Sequence, residues 1–236
     1  MKSISEWLEG NPYPGRGILV GESVDGNYAY LAYFIMGRSE NSRNRIFAEQ
    51  DGSLYTRPFD ESKVVDPSLI IYPAMRTLGQ EVILTNGDQT DTIFDALKEG
   101  GDFFSALEKR TFEPDAPNYT PRISALVTLG GGALAYKMSI LRREKDGVCE
   151  RAKYRYDGQA GVGHLIHTYI TDGNPLPSFT GAPKEVKLEC DFSSFASSLW
   201  AALDEANKIS LFVRAIDLAT GEIQTKLFNK HTRSEA

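Results

Sequence analysis

The chain has 236 residues and a formal net charge of -6, enough length for one large domain or two small ones with a substantial core. The acidic balance argues against a general nucleic-acid binder, which needs a basic field to displace phosphate counterions, so any phosphate recognition must be local. Aromatic content of 11% with only 11 prolines fits an ordered, strand-rich globule and not a disordered chain.

The N-terminus, Met1 to Glu6, lacks an apolar core of signal-peptide length, and no run approaches membrane-spanning length. The expectation is a cytoplasmic protein without membrane contact. Ser3 to Leu8 reads as one or two helical turns, broken by Gly10-Asn11-Pro12-Tyr13-Pro14-Gly15. Arg16 to Val20 reads as a strand, turned through Asp25-Gly26 into a long apolar strand ending at Met36. Phe47 and Leu54-Tyr55 flank Asp51-Gly52 as a second hairpin. Lys63 to Ser68 is a connection, Leu69-Ile70-Ile71-Tyr72 a short buried strand ended by Pro73, and Glu81 to Thr85 another strand.

A helix follows Asn86-Gly87-Asp88-Gln89-Thr90-Asp91, capped by Asp88 or Thr90, with Ile93, Phe94 and Leu97 on its apolar face. Gly100-Gly101 ends it, and Phe103 to Lys109 starts a further helix. A proline-containing loop from Glu113 to Pro121 leads into the strand Arg122 to Val127. Ala133 to Leu141 and Val148 to Tyr156 are strands across Asp146-Gly147, and His164 to Ile170 continues the sheet. After a surface loop from Asp172 to Pro183, a helix from Ser193 to Ala206 buries Phe195, Leu199, Trp200 and Leu203. Ile209 to Ile216 and Glu222 to Phe228 close the chain as a hairpin.

About ten or more strands, with few helices grouped mid-chain and near the C-terminus, indicate an α+β fold of two stacked sheets. No repeat or linker interrupts it, so residues 1–236 are read as one domain. Cys149 and Cys190 form no metal-type CxxC pair and read as buried free thiols.

Four polar loops end strands: Arg38 to Arg45, Tyr72 to Arg76, Asn86 to Asp91, and Asn118 to Arg122. The first holds three arginines with Ser39, Ser42 and Asn44. Arginine presents a rigid donor fork suited to phosphate, and serine and asparagine add neutral donors. By itself such a loop reads first as a solvated turn. Tyr72 and Arg76 are close enough in sequence to face one cleft. Asn86-Gly87 offers an amide and backbone N–H groups at a helix N-terminus, suited to an anion or an oxyanion, although a plain turn also explains it. Gly130-Gly131-Gly132 lacks the GK[ST] and βαβ context of a P-loop and reads as a bend. His164 and His167 sit three apart in a strand and make a poor metal pair. No Ser-His-Asp signature or nucleophile elbow is present.

Arg16-Gly17-Ile18-Leu19-Val20-Gly21, Arg38-Ser39 with Asn44-Arg45, Tyr72 with Arg76, Thr85-Asn86-Gly87 with Thr90-Asp91, and Thr120-Pro121-Arg122-Ile123 resemble, in order, the archaeal-type IMP cyclohydrolases. One stretch departs: Glu40-Asn41-Ser42-Arg43 replaces a shorter segment containing proline. The resemblance implies a four-layered α-β-β-α sandwich like that of the N-terminal-nucleophile hydrolases, without self-processing. Residue 2 is Lys, so loss of Met1 alone would expose no such nucleophile.

The implied reaction closes 5-formamidoimidazole-4-carboxamide ribotide to IMP with loss of water, which requires positioning, an oxyanion donor and proton relays, but no cofactor and no obligatory metal. The resemblance assigns Arg38, Arg43 and Arg45 to the phosphate, helped by Ser39 and Ser42, and counts Arg16 and Asn44 among the substrate-binding residues. Asn86 and Gly87, flanked by Thr90 and Asp91, fall to the base or the oxyanion. Tyr72 becomes the proton-transfer residue with Arg76 lowering its pKa, and Arg122, Asn118 and Lys137 border the base pocket. The implied partner is a small purine ribotide. Two other readings stand beside this one: an amide hydrolase on the same architecture, and a nucleotide-binding protein without catalysis. Sheet edges and modest charge are compatible with a homo-oligomer.

Overall fold

Tyr28–Met36 is apolar along its whole length, a pattern suited to a strand covered on both faces, and it lies inside a seven-stranded sheet. The computed structural model describes residues 1–64, 67, 71–188 and 191–231. Along the chain, β1 (Lys2–Ser3) and α1 (Ile4–Leu8) precede the hairpin of β2 (Arg16–Glu22) and β3 (Tyr28–Met36). A short helix, α2 (Glu40–Arg43), leads to β4 (Ile46–Gln50), β5 (Ser53–Arg57), β6 (Tyr72–Leu78) and β7 (Glu81–Thr85). Helices α3 (Gln89–Lys98) and α4 (Phe103–Leu107) follow, then β8 (Arg122–Gly130), β9 (Ala133–Arg143), β10 (Cys149–Asp157), β11 (Val162–His167) and β12 (Lys184–Lys187). Helix α5 (Phe192–Ala202) precedes the last hairpin, β13 (Lys208–Asp217) and β14 (Ile223–Asn229).

The first sheet runs β1-β12-β11-β2-β3-β13-β14 and the second β10-β9-β8-β7-β6-β5-β4. Every pairing is antiparallel except that of β1 with β12. Alternation then divides each strand between two cores. Ile18, Leu31, Tyr33 and Ile35 of the first sheet share one buried cluster with Tyr72, Leu84, Ile123, Ala125 and Met138 of the second. Leu19, Phe34 and Leu211 face away from that cluster, towards Ile4 and Leu8 of α1 and Phe195 and Leu199 of α5. Ile83 and Leu126 pack instead on Ile93 of α3 and on Phe103 and Leu107 of α4. The result is an α+β fold of two large sheets with few helices.

Most expected elements are found, with several differences. Asp51 (φ 50) and Gly52 (φ 72) form the two-residue turn between paired Gln50 and Ser53, the hairpin geometry that needs positive φ twice. The short strand expected to end at Pro73 instead begins at Tyr72 and continues to Leu78. The β5–β6 register shifts between Leu54 and Tyr55, next to the Tyr55–Pro73 pair, and such an irregularity accommodates proline. Leu69 and Ile70 lie outside the described residues, as does Cys190. Cys149 is half-buried, not fully buried. Asp88 occupies the N-cap position of α3 but makes no capping bond, because its carboxylate is taken by arginines. The run from His164 belongs to the first sheet through β2, not to the sheet of β9 and β10. The last helix stops at Ala202, leaving Leu203 buried beyond it and Trp200 half-buried against Phe228. The two shortest sheet-one strands, β1 and β12, have too few residues to show a pattern.

Candidate active site

At one end of the inter-sheet layer, Arg16 opens β2 opposite Ile35 of β3. Gly17 lies beneath the Phe34 ring so closely that a Cβ there would stand 2.2 Å from it. Tyr33 projects from β3 and shares a 2.8 Å hydrogen bond, hydroxyl to hydroxyl, with Tyr72 at the start of β6. Arg45 precedes β4 and is 2% exposed. Its Nε donates to Ser42 O (2.8 Å) and its Nη2 to Met36 O (3.1 Å). The charges of Arg16 and Arg45 both act on Tyr33 and Tyr72.

Glu113 completes this group. Its N–H donates to Thr120 O (2.9 Å), and its carboxylate lies 3.7 Å from Arg16 Nη1. Burial pushes the Glu113 carboxyl above its ordinary range, against the pull of Arg16 and Arg122. Burial also acts to lower the Arg16 pKa, but Glu113 and the tyrosines outweigh it and leave Arg16 well above its ordinary value. These two tendencies compete in one pair. The raised Glu113 is the direction that geometry supports, since a 3.7 Å separation is longer than a charge-assisted hydrogen bond. Burial, followed by the neighbouring Tyr72, lifts the Tyr33 phenol well above its usual value. Arg16 Nε is buried and makes no hydrogen bond among the described residues.

The ends of β7 and β8 adjoin the same place. Asn86 is fully buried: its Oδ1 accepts from Ile123 N–H (2.9 Å) and Gln89 Nε2 (3.0 Å), and its Nδ2 donates to Pro121 O (2.9 Å). Gln89 Oε1 accepts from Arg122 Nη1 (2.7 Å), which also reaches Asp88 (2.7 Å). A Cβ on Gly87 would lie 2.6 Å from Arg122 Nη1, 2.7 Å from Gln89 Oε1 and 3.5 Å from Glu113 Oε1. The glycine therefore lets the strand end sit against the arginine and near the carboxylate. Its N–H is taken by Thr85 Oγ1 (3.2 Å), and Thr90 bonds the same hydroxyl (2.6 Å).

Towards the surface, Tyr13 stacks on Tyr169 (centroids 5.9 Å apart), whose hydroxyl bonds Thr120 Oγ1 (2.5 Å). Arg38 lies 5.0 Å from the Tyr13 ring centroid and pairs with Asp172, while Asn118 Oδ1 accepts from Leu176 N–H (3.1 Å). Arg38 is exposed and neighbours the buried cluster through the Tyr13–Tyr169 pair.

Other expected residues stand elsewhere. Arg76 points to α3, where it bonds Asp91 (2.7 Å) and lies 3.4 Å from the Phe94 centroid; it does not accompany Tyr72, whose cationic neighbours are Arg16 and Arg45. Four residues apart, the two would share a face under strict alternation, but the extra residue at Ala74, between the Tyr55–Pro73 and Leu54–Met75 pairs, shifts the phase of β6 and separates them. Lys137 pairs with Asp102 (3.0 Å) at the N-terminus of α4. Arg43 donates to Gly37 O (3.1 Å) and Asn207 Oδ1 (3.4 Å). Asn44 holds both polar backbone atoms of Asp60 (2.7 Å each), Ser39 caps α2, and Ser42 Oγ donates to Ser39 O (2.9 Å). Arg43 and Asn44 also border a surface concavity of about 400 Å3 with Phe59 and His231, which does not include the tyrosine pair or Glu113. Sequence reasoning missed Tyr33, Glu113, Gln89, Tyr13 and Tyr169. Only Glu113 carried a signal, as an acid that opens a proline-containing loop leading into a strand.

Buried arginines gathered around a carboxyl and a tyrosine pair, at the end of two stacked sheets, make a site suited to a small anionic molecule. The family model described as IMP cyclohydrolase-like protein matches residues 13–222, and the chain belongs to that family. Its relatives include an IMP cyclohydrolase of Methanopyrus kandleri, 34% identical over 184 residues that cover 76% of this chain and 86% of that protein. Another, from Methanococcus maripaludis strain S2, is 29% identical over 201 residues, 80% of this chain and 93% of the relative. A third, from Methanothrix thermoacetophila, is 32% identical over 120 residues, 49% and 58% of the two chains.

Proposed function

We propose that the protein is an IMP cyclohydrolase that closes 5-formamidoimidazole-4-carboxamide ribotide to IMP. The carboxamide nitrogen attacks the formyl carbon, a C–N bond forms and that nitrogen gives up one proton; the formamido nitrogen gives up a second as its bond to the same carbon becomes double, and the former formyl oxygen leaves with both as water. The observation that carries this reading is the half-buried Arg16, whose buried Nε has no acceptor among the described residues, beside the Tyr33–Tyr72 pair and Glu113. Arg16 and Arg45 supply the positive field in which negative charge develops on the formyl oxygen. Tyr72 is the proton-transfer residue, with Arg16 and Arg45 as its cationic neighbours. Glu113, its pKa raised by burial, is the carboxyl of the site placed to exchange a proton with the substrate. Asn86, Gly87 and Arg122 shape the wall for the base. Arg38 at the rim holds the ribotide phosphate, Tyr13 and Tyr169 line the approach, and Asn118 fixes the neighbouring loop.

In this reading the chain is one domain. The helices over the outer face of each sheet make the four-layered α-β-β-α sandwich of the N-terminal-nucleophile hydrolase kind, without self-processing. The enzyme acts on a small purine ribotide in the cytoplasm. No helix among the described residues is long and apolar enough to cross a membrane.

The test is to mix purified protein with the formamido ribotide and follow IMP formation by absorbance, with and without chelator. Equal turnover in both is expected. Tight IMP binding without turnover would select a non-catalytic nucleotide-binding protein instead.

A further inference from the structure

Four strands form the sheet edges, and three of them are protected. β1 has only two residues, and β10 carries Glu150, Arg151, Lys153, Arg155 and Asp157. β4 is latched by Asn229, whose Oδ1 accepts from Phe47 N–H (2.8 Å) and whose Nδ2 donates to Phe47 O (3.0 Å). Charge and short length are the usual safeguards of an edge. β14 has neither. Over Ile223–Asn229 its one charged side chain is Lys226, and Ile223 and Leu227 are 53% and 39% exposed.

The backbone direction follows from the register. Asp217 N–H donates to Glu222 O (2.9 Å), and Lys230 N–H to Ile209 O (2.8 Å). In an antiparallel ladder bonded pairs alternate, so Glu222, Gln224, Lys226 and Phe228 face β13. The N–H and C=O groups of Ile223, Thr225 and Leu227 therefore point outward, and β14 has no other strand neighbour among the described residues. The residues with outward backbone groups include the two exposed apolar ones.

We propose that β14 is a dimerisation edge that pairs antiparallel with β14 of a second copy, about a two-fold axis at Thr225. In that register Ile223 lies opposite the partner's Leu227, and Leu227 opposite the partner's Ile223. All the outward backbone groups of these residues are paired. On the other face, where Lys226 and Phe228 lie against Phe192 and Trp200, Glu222 comes diagonally between the partner's Lys226 and the partner's Lys230. Diagonal neighbours of this kind are within reach of long side chains. A strand edge complementary to itself in backbone, apolar side chains and charge fits a closed two-fold pair, and the first sheet becomes continuous across both copies.

The test is sedimentation velocity of the full chain from nanomolar to high micromolar concentration. The expected species is a dimer of twice the chain mass. Leu227→Lys changes an exposed side chain and occurs twice per interface, so it should weaken dimerisation about tenfold or more while far-UV circular dichroism and melting are retained. Glu222→Lys should weaken it as well, and adding Lys226→Glu should restore it. A wild-type chain that stays monomeric throughout, or a dimer indifferent to all of these changes, overturns the proposal.

Discussion

The hydroxyl of Tyr33 meets that of Tyr72 at 2.8 Å, and the bond joins the two sheets at the point where Arg16 and Arg45 approach. One strand from each sheet thus contributes half of a pair that neither sheet could form alone. Tyr72→Phe removes the hydroxyl and leaves Tyr33 without its partner. The expected stability loss is about 1–3 kcal/mol, and a proton-transfer role lowers kcat by roughly 10²- to 10⁴-fold. Tyr33→Phe should cost similar stability with a much smaller loss of kcat. Chemical denaturation and steady-state IMP formation for both variants check this, and equal kcat losses would remove Tyr72 from its assigned role.

Arg38 is half-exposed and paired with Asp172, whereas Arg76 and Lys137 belong to the faces covered by α3 and α4. Arg38→Ala should raise KM for the ribotide about tenfold or more with a stability change under about 1 kcal/mol, as exposed ion pairs contribute little. Arg76→Ala and Lys137→Ala should leave kcat/KM within about twofold. Unchanged KM with impaired folding in Arg38→Ala would make that arginine structural.

Glu113 bears on the pH dependence. Its folded pKa is raised above the ordinary 4.5, so the folded state holds the proton more tightly. The stability this confers is complete below about 4.5 and declines as pH rises through the raised value. Glu113→Gln carries no such titration. Its stability relative to the wild type should therefore improve as pH increases over that window, whatever the constant offset from losing the Arg16 contact. Urea titrations at a series of pH values read this directly, and a trend of opposite sign would mean that Arg16 holds Glu113 ionised.

His167 has the opposite sign. Burial pushes its pKa down to about 4, against the bond between its Nδ1 and Tyr169 O, with Lys184 acting in the same direction as burial. The unfolded chain binds the proton more tightly, so stability is complete above about 6.5 and falls as pH drops towards 4. The full difference is about 3 kcal/mol. His167→Gln should flatten that acid limb, and an unaltered limb would place the titration on another group.

Much of the scaffold was legible because alternation and turn chemistry act locally. Asp51-Gly52 marked its hairpin, Tyr28 to Met36 marked a central strand, and Phe195 with Leu199 marked the buried face of α5. The site was legible in part. Arg16, Arg45, Tyr72, Asn86, Gly87 and Arg122 converge at strand ends, but Arg43 and Asn44 turned out to tie down α2 and the loop at Asp60. Arg76 followed Tyr72 closely in sequence, and proximity in sequence conceals that β6 sends the two to different faces. Tyr33 is one aromatic residue inside an apolar run, and Glu113 meets Arg16 only because a loop folds back after nearly a hundred residues. Neither contact has a local signature.

The central claim is that the ribotide closes beside Arg16, Tyr72 and Glu113. A crystal structure of the protein with IMP bound tests it most directly. The expected result is a purine ring between Arg16 and Arg122, with an IMP oxygen accepting from Arg16 Nε and the phosphate at Arg38. IMP seated instead in the concavity bordered by Arg43, Phe59 and His231, with Arg16 Nε still unpaired, would contradict the account.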